Sequence, residues 1–216
     1  MDRQVSGAKE RKALAASDPT MAALIDRVGE IDLETRLERR AEERPGDAYG
    51  ALLRAIIGQQ LSTKAARTIY LRVLDLFNGH TPSPEQLLDA SEEDLRGAGL
   101  SGRKVEYIRD LAAHVLSGEL ELDRLDDLSD ERAIEEIVAV RGLGRWTAEM
   151  FLLFHLQRPD ILSGGDLGIR KAIQIEYELA EMPSPEEVER LGERWSPHRS
   201  LASLYLWESL HNAPDA

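Results

Sequence analysis

The stretch that decides the fold is Ile137-Val138-Ala139-Val140-Arg141-Gly142-Leu143-Gly144-Arg145-Trp146-Thr147-Ala148. It places two glycines around one apolar residue, between two segments whose apolar residues recur at helical spacing. Because glycine has no Cβ atom, Gly142 and Gly144 can adopt positive φ and let an anion approach main-chain N–H groups at the second helix start. Leu143 is expected to point into the core. The pattern predicts a helical hairpin that can bind phosphate, although an ordinary hairpin with a glycine cap has the same pattern.

Around this hairpin the whole chain has the pattern of a helical protein. Apolar residues recur every three to four positions almost throughout, and the strict alternation typical of strands is absent. Capping residues such as Asp18 and Ser62 mark helix starts. We therefore expect one all-α domain over residues 1–216, built as two helical lobes with a cleft between them. The hairpin would occupy about 130–156 and a Gly/Asp loop 158–170.

Composition excludes several classes of protein. The chain has no cysteine among its 216 residues, so it cannot form disulfides, thiolate zinc sites or iron–sulfur clusters. The first residues lack the apolar segment of a signal peptide, and no stretch reaches the roughly 18 apolar residues that a membrane span needs. We expect a monomer that acts in the cytoplasm and contacts no membrane.

The charge distribution is uneven. A formal net charge of -13 argues against non-specific coating of nucleic acid, because neutralising phosphates requires Lys and Arg. Residues 48–74 differ from the rest, since they include Arg54, Lys64, Arg67 and Arg72 and no acidic residue. One surface can therefore be basic. A hairpin that meets phosphate with main-chain amides also needs few basic side chains.

Three further motifs lie on either side of the hairpin. They are Ala55-Ile56-Ile57-Gly58-Gln59-Gln60-Leu61-Ser62-Thr63-Lys64-Ala65-Ala66, Arg158-Pro159-Asp160-Ile161-Leu162-Ser163-Gly164-Gly165-Asp166-Leu167-Gly168-Ile169-Arg170, and Trp195-Ser196-Pro197-His198-Arg199-Ser200 followed by Trp207. Together with the hairpin they resemble the helix-hairpin-helix DNA glycosylases, in particular the alkyl-base branch, DNA-3-methyladenine glycosylase II. The resemblance covers about residues 48–211. Gly165 stands where the family commonly has proline, and the additional N-terminal sheet domain of those relatives is not visible.

The resemblance makes Asp166 the catalytic carboxylate. When an N-glycosidic bond breaks, a carboxylate can stabilise the positive charge on the sugar or activate the attacking water. A position ahead of a helix favours the ionised carboxylate, although aspartate is also a favoured N-cap for structural reasons alone. No obvious second acid lies near Asp166 in the sequence. An alkylated purine does not need one, because it is cationic and leaves as a neutral base.

The resemblance also implies an aromatic base pocket. Trp207 matches the stacking tryptophan of the family, with Trp146 and Tyr205 expected nearby, and Met150 falls where some relatives carry tyrosine. Electron-rich rings attract a cation, but an aromatic residue on an amphipathic helix is often a core residue, above all Tyr205 and Trp195. Relatives that cleave the strand carry a Schiff-base lysine at the position of Trp146. The tryptophan therefore implies an enzyme that leaves the strand intact.

The expected partner is double-stranded DNA that contains a damaged base. Gln60 would fill the space left by the extruded nucleotide, and Gln59 would help to hold the gap. The residues assigned to the DNA backbone are Gly142, Gly144, Arg145, Gly102, Lys104 and Lys64. The chemistry needs no cofactor. A structural Na⁺ or K⁺ is implied at the hairpin, held by the main-chain carbonyls of Val138, Val140 and Leu143.

Three other interpretations of the sequence stay open. A glycosylase of the same fold that acts on uracil or hypoxanthine would need directed hydrogen bonds near Trp207 and Met150. A non-catalytic helix-hairpin-helix module would keep the hairpin glycines but would need neither Asp166 nor paired tryptophans. An acidic helical interaction protein would explain the net charge and leave the ordered motifs as coincidence.

Overall fold

The computed structural model describes residues 7–31 and 47–211. These residues form helices and contain no strand, which confirms the predicted all-α class. Contacts divide the chain into two compact units. Unit 1 is Met1–Arg39 with Leu152–Ala216, and unit 2 is Arg40–Phe151. The cleft expected between two lobes stays a prediction.

The α-helices are α1 (Ala8–Ser17), α2 (Pro19–Val28), α3 (Ala48–Gly58), α4 (Thr63–Asp75), α5 (Pro84–Asp89), α6 (Glu92–Gly97), α7 (Gly102–Ser117), α8 (Asp130–Ala139), α9 (Arg145–Phe154), α10 (Leu167–Glu176), α11 (Pro185–Gly192) and α12 (Arg199–His211). Two short 3-10 helices cover Leu122–Asp127 and Glu193–Trp195. Within the described ranges, no helix is both long and apolar enough to cross a membrane.

Helix α3 forms the core of unit 2. Its Leu52, Leu53 and Ile56 are fully buried, and the helix packs against α4 and α7. Burying one such side chain contributes about 1.5–3 kcal/mol. Because α3 ends at Gly58, this core fixes the starting point of the short loop that leads to Ser62, which caps α4 as predicted.

Helix α12 is the central helix of unit 1. Every residue from Leu201 to Leu206 is buried, and the helix packs against α10 and α2. A helix surrounded on all sides has no single apolar stripe, so periodicity does not show which of its aromatic residues reach the surface.

A buried carboxylate joins the N-terminal helices to the rest of unit 1. Asp18 is only 1% exposed and caps α2 through Oδ1, which accepts from the main-chain N–H of Thr20 at 2.9 Å. Its Oδ2 accepts from the Tyr177 hydroxyl at 2.7 Å and from Trp195 Nε1 at 3.1 Å. The predicted helix start at Asp18 is therefore confirmed, and the same side chain holds an aromatic cluster together.

Candidate active site

Asp166 lies in unit 1 at the N-terminus of α10. Its Oδ1 accepts from the main-chain N–H of Ile169 at 2.9 Å and from Trp207 Nε1 at 3.0 Å. The side chain is partly buried. Asp166 is thus a helix cap, as its residue type favours, and also the partner of the tryptophan that the sequence placed in the same site.

Trp207 is held on both its polar and its apolar parts. The indole N–H donates to Asp166, while the ring stacks on Phe154, with centroids 5.8 Å apart and 23° between the planes. Phe154 was not among the residues predicted from the sequence. The available signal was its spacing, because Trp146, Met150 and Phe154 follow one another at four-residue intervals along α9 and so share a helix face.

Gly168 explains how the carboxylate and the indole can approach so closely. A Cβ at this position would lie 3.1 Å from both Asp166 Oδ1 and Trp207 Cδ1, which is tighter than ordinary contact. Gly165, by contrast, is exposed, and a Cβ added to it would meet nothing within 4 Å. No residue of the protein therefore loses a contact to the Cβ of residue 165 because glycine stands there in place of the family's proline.

Asp160 attaches the loop before Asp166 to the start of α12. Arg199 donates to its carboxylate from Nε at 2.9 Å and from Nη2 at 3.0 Å. Burial alone would raise the pKa of Asp160, but the hydrogen bonds from Arg199 and Ser196 bring it below the ordinary value. Ser200 adds a second attachment, since its Oγ accepts from the main-chain N–H of Ile161 at 2.9 Å. The loop and the helix that bears Trp207 are therefore joined at two points.

Tyr205 does not belong to the predicted base pocket. Its side chain is fully buried, and its hydroxyl donates to the main-chain oxygen of Gly29 at 3.0 Å. A residue with no exposed surface cannot stack on a base, so this expectation is wrong and the core interpretation holds. Trp146 is different, because 52% of it is exposed, and Met150 is partly exposed.

The hairpin in unit 2 has the predicted form. Gly142 has φ of +87°, and a Cβ there would collide with the ring of Tyr107, so the turn requires glycine. Leu143 is 3% exposed and fills the core beneath the turn, as expected. Gly144 is exposed, and its carbonyl accepts from the main-chain N–H of Ala148, in the first turn of α9, at 3.0 Å. The turn can thus present main-chain amides to an anion.

Arg145 is engaged by acids rather than left for a phosphate. Its Nη1 and Nη2 donate to the two oxygens of Glu131 at 2.8 and 3.0 Å, and its Nε donates to Glu149 at 2.9 Å. The bond to Glu131 raises the pKa of Arg145 above its ordinary value. Contact between Arg145 and the DNA backbone would have to compete with two carboxylates.

Lys104 likewise has internal partners. Its ammonium donates to the main-chain oxygens of Ile57 at 2.7 Å and Gln59 at 2.8 Å, and partial burial lowers its pKa. A lysine has three N–H donors, so two of them are used to cap α3. The other residues assigned to the backbone stay available for their predicted contacts, because Lys64 is exposed and a Cβ added to Gly102 would have nothing within 4 Å.

In the loop after α3, the side chain of Gln60 is exposed, whereas that of Gln59 is hydrogen-bonded to the hairpin. Gln60 is exposed with φ of +58°, whereas Gln59 is partly buried and donates from Nε2 to the main-chain oxygen of Gly142 at 2.6 Å. Leu61 is 37% exposed beside Gln60 and was not singled out from the sequence, although an apolar residue next to two glutamines was a visible signal. The structure thus brings Gln59, Lys104 and the hairpin turn together within unit 2.

The fold and these motifs together define a class of protein. A family model described as HhH-GPD superfamily base excision DNA repair protein matches residues 53–198. The chain therefore belongs to the HhH-GPD superfamily, as the helical hairpin and the aspartate after it had suggested.

Similar proteins within that superfamily carry one recurring name. The chain is 32% identical to DNA-3-methyladenine glycosylase 1 of Schizosaccharomyces pombe over 198 residues, which are 91% of this chain and 84% of that protein. It is 29% identical to DNA-3-methyladenine glycosylase 2 of Escherichia coli over 195 residues, which are 83% of this chain and 66% of that protein.

Solved structures give the same result. The Schizosaccharomyces pombe 3-methyladenine DNA glycosylase in complex with abasic DNA matches with a TM-score of 0.80 and 31% identity, covering 97% of this chain and 100% of that one. A DNA-3-methyladenine glycosidase from Bacillus halodurans matches with a TM-score of 0.83 and 37% identity, covering 94% and 89%.

Proposed function

We propose that this protein is a monofunctional DNA glycosylase that hydrolyses the N-glycosidic bond of alkylated purines, of the 3-methyladenine and 7-methylguanine type, in base excision repair. The observation that carries the proposal is the pairing of Asp166 with Trp207, a carboxylate oriented by an indole N–H at a helix N-terminus. The family and the names of the relatives support it.

Asp166 is the catalytic residue in this proposal. Breaking the bond between sugar and base leaves positive charge on the sugar ring. A nearby carboxylate stabilises that charge and activates the attacking water by accepting its proton. The water oxygen bonds to the sugar carbon and the water gives up one proton, which the Asp166 carboxylate accepts and passes to solvent, while the base keeps the electron pair of the broken bond. An alkylated purine carries a positive charge beforehand, so it departs neutral without a proton from a second acid.

Recognition of the damaged base rests on its charge. The exposed ring of Trp146 and the partly exposed ring of Trp207 are electron-rich surfaces, and a cationic purine is attracted to such a face. Met150 supplies a polarizable side chain one helical turn after Trp146. Tryptophan cannot form a Schiff base, so the product is an abasic site in an intact strand.

The phosphates of double-stranded DNA are bound mainly by main-chain N–H groups in this proposal. The amides around Gly142 and Gly144 meet one phosphate, Lys64 and the α7 start at Gly102 meet others, and Gln60 enters the space of the flipped nucleotide. The carbonyls of the hairpin are neutral oxygen donors that suit a monovalent cation. The protein acts as a monomer in the cytoplasm.

The test is product analysis on alkylated duplex DNA. Wild-type protein should release methylated purines and leave strands that break only after treatment that cleaves abasic sites, while Asp166→Asn should bind the DNA without release. Release of uracil or hypoxanthine instead of methylated purines would transfer the assignment to deaminated bases. Strand breaks without further treatment would overturn the monofunctional reaction, and binding without any release would reduce the protein to a DNA-binding module.

A further inference from the structure

The loop that carries Gln60 is a tight turn with an unusual residue at its apex. Gln59 has φ -54° and ψ 133°, Gln60 has φ +58°, and the N–H of Leu61 donates to the oxygen of Gly58 at 3.2 Å. These are the features of a type II turn over Gly58–Leu61. Its third position takes a positive φ, so glycine is the residue that normally occupies it.

A glutamine at that position requires outside support. An L-residue with a side chain is destabilised in the left-handed region, and such a conformation persists only where surrounding contacts impose it. Two sets of contacts do so. The ammonium of Lys104 binds the oxygens of Ile57 and Gln59 on one side of the turn, at 2.7 and 2.8 Å.

The second support comes from the hairpin. Gln59 Nε2 donates to the main-chain oxygen of Gly142 at 2.6 Å, across 83 residues of sequence. That oxygen belongs to a turn that has its own contacts with α7. Gly142 packs against the ring of Tyr107, and the N–H of Arg141 next to it donates to Asp110 Oδ2 at 2.8 Å. The position of Gly142 therefore determines where the side chain of Gln59 must lie.

We propose that Gln59 is a positioning residue that couples the phosphate-binding hairpin to the turn that carries Gln60. The proposal rests on the function proposed above, in which Gln60 fills the vacated space and the hairpin holds the backbone. Gln59 then does not fill the gap itself, because its side-chain amide nitrogen donates to the main-chain oxygen of Gly142. A hairpin seated on a phosphate thereby fixes the pose in which Gln60 meets the DNA.

The experiment compares two duplexes that differ only in one nucleotide. One carries a tetrahydrofuran abasic analogue opposite 2-aminopurine, and the other carries an intact pair at that place. The variants are Gln60→Ala, Gln59→Leu, Gln59→Glu and the double variant Gln59→Leu/Gln60→Ala. Gln59→Leu removes the donor at similar volume, while Gln59→Glu keeps the shape but places an acceptor against the oxygen of Gly142. The readouts are the ratio of the two dissociation constants and the 2-aminopurine fluorescence of the bound abasic duplex.

Coupling predicts non-additive effects. Gln60→Ala should reduce the preference for the abasic duplex about tenfold, since the side chain offsets part of the cost of an empty stack. Gln59→Leu should reduce it about fivefold, the effect of one lost hydrogen bond, and Gln59→Glu at least as much. The double variant should prefer the abasic duplex as much as Gln60→Ala does. Once the side chain of Gln60 is absent, losing the residue that positions it has no further effect. The readout is the ratio of the two dissociation constants because an equal loss of affinity for both duplexes, such as the added negative charge of Gln59→Glu would cause, cancels in it.

Three results would overturn the coupling. Effects that multiply in the double variant would make Gln59 an independent DNA contact, and equal preference in Gln59→Leu and wild type would give it no part in DNA binding. If the wild type showed no preference for the abasic duplex, Gln60 would not fill the vacated space, and Gln59 would have nothing to position. Failure of the proposed function looks different, since methylated purines would then not be released while the abasic preference and its dependence on Gln59 persisted.

Discussion

Asp18 and Asp166 are built alike and surrounded differently. Each aspartate caps a helix of unit 1 through Oδ1, and each accepts the indole N–H of a tryptophan. Asp18 is 1% exposed and distributes its donors over both oxygens, with the backbone on Oδ1 and Tyr177 and Trp195 on Oδ2. Asp166 is only partly buried, and its Oδ1 accepts from the N–H of Ile169 and from Trp207 Nε1.

The difference teaches that the surroundings of an aspartate, more than its local geometry, separate structure from chemistry. A carboxylate that is fully buried among its donors holds a fold together, and removing its charge or a donor is costly. A carboxylate that reaches solvent can face a substrate while its donors orient it. The two sites therefore serve as controls for each other.

The largest expected effect separates the two aspartates by reaction rate. Asp166→Asn should lower the single-turnover rate of base release about a thousandfold, because the charge that stabilises the sugar cation is gone. Its stability should change by less than about 1 kcal/mol, since an amide oxygen can keep both donors. Asp18→Asn is the matched control and should release bases at nearly the wild-type rate once folded. Comparable rate losses in both variants would refute the division of roles.

The next effect separates the aspartates by stability. Asp18→Asn should lower the free energy of unfolding by about 2–4 kcal/mol, because the amide NH₂ must face donors on one side of the buried group. Urea unfolding followed by circular dichroism measures this. A loss below that of Asp166→Asn would contradict the structural assignment of Asp18.

The pH dependence of the same variant provides its control. Burial alone would raise the pKa of Asp18, but the hydrogen bonds from Tyr177, Trp195, Thr20 and Met21 bring it below the ordinary value. A lowered pKa in the folded state stabilises the protein above the unfolded pKa, about 3.9, and this contribution is lost as pH falls through the folded value. The stability difference between wild type and Asp18→Asn should therefore be constant from about pH 7 to 5 and shrink below about pH 4.

The smallest expected effect comes from replacing each of the two tryptophans by phenylalanine. Trp207→Phe keeps an aromatic ring against Phe154 but loses the N–H bond to Asp166, so the rate of base release should fall about tenfold with little change in stability. Trp195→Phe loses the corresponding bond to Asp18 and leaves space in the core, so it should lower stability and spare the rate. Rates and melting temperatures of the two variants, measured side by side, would show whether each tryptophan serves its own aspartate.

Local signals in the sequence predicted the elements and much of the candidate site. Asp18 was predicted to start a helix because capping is a local property, and Leu143 was placed in the core because two glycines isolate it. Tyr205 was misplaced for a physical reason, since a helix buried on all sides gives no periodic signal for which residue faces outward.

The partners of Arg145 and Lys104 could not be predicted for another reason. Lys104 binds carbonyls that lie 45 and 47 residues earlier in the chain, and Arg145 meets Glu131 across the hairpin. Such pairs depend on how helices pack and leave no local pattern. The sequence could identify which residues carry charge, but not which of those charges are already satisfied within the protein.

The positive φ of Gln60 makes thermal stability and DNA repair conflicting requirements at this position. Gln60→Gly would relieve the backbone at the apex, with a net gain of up to about 1 kcal/mol after the entropy of glycine is subtracted. A laboratory selection for heat resistance alone would thus favour a variant without the side chain proposed to enter the DNA. Directed evolution of a more stable form of this protein therefore needs a parallel screen for base release, so that the side chain at residue 60 is retained.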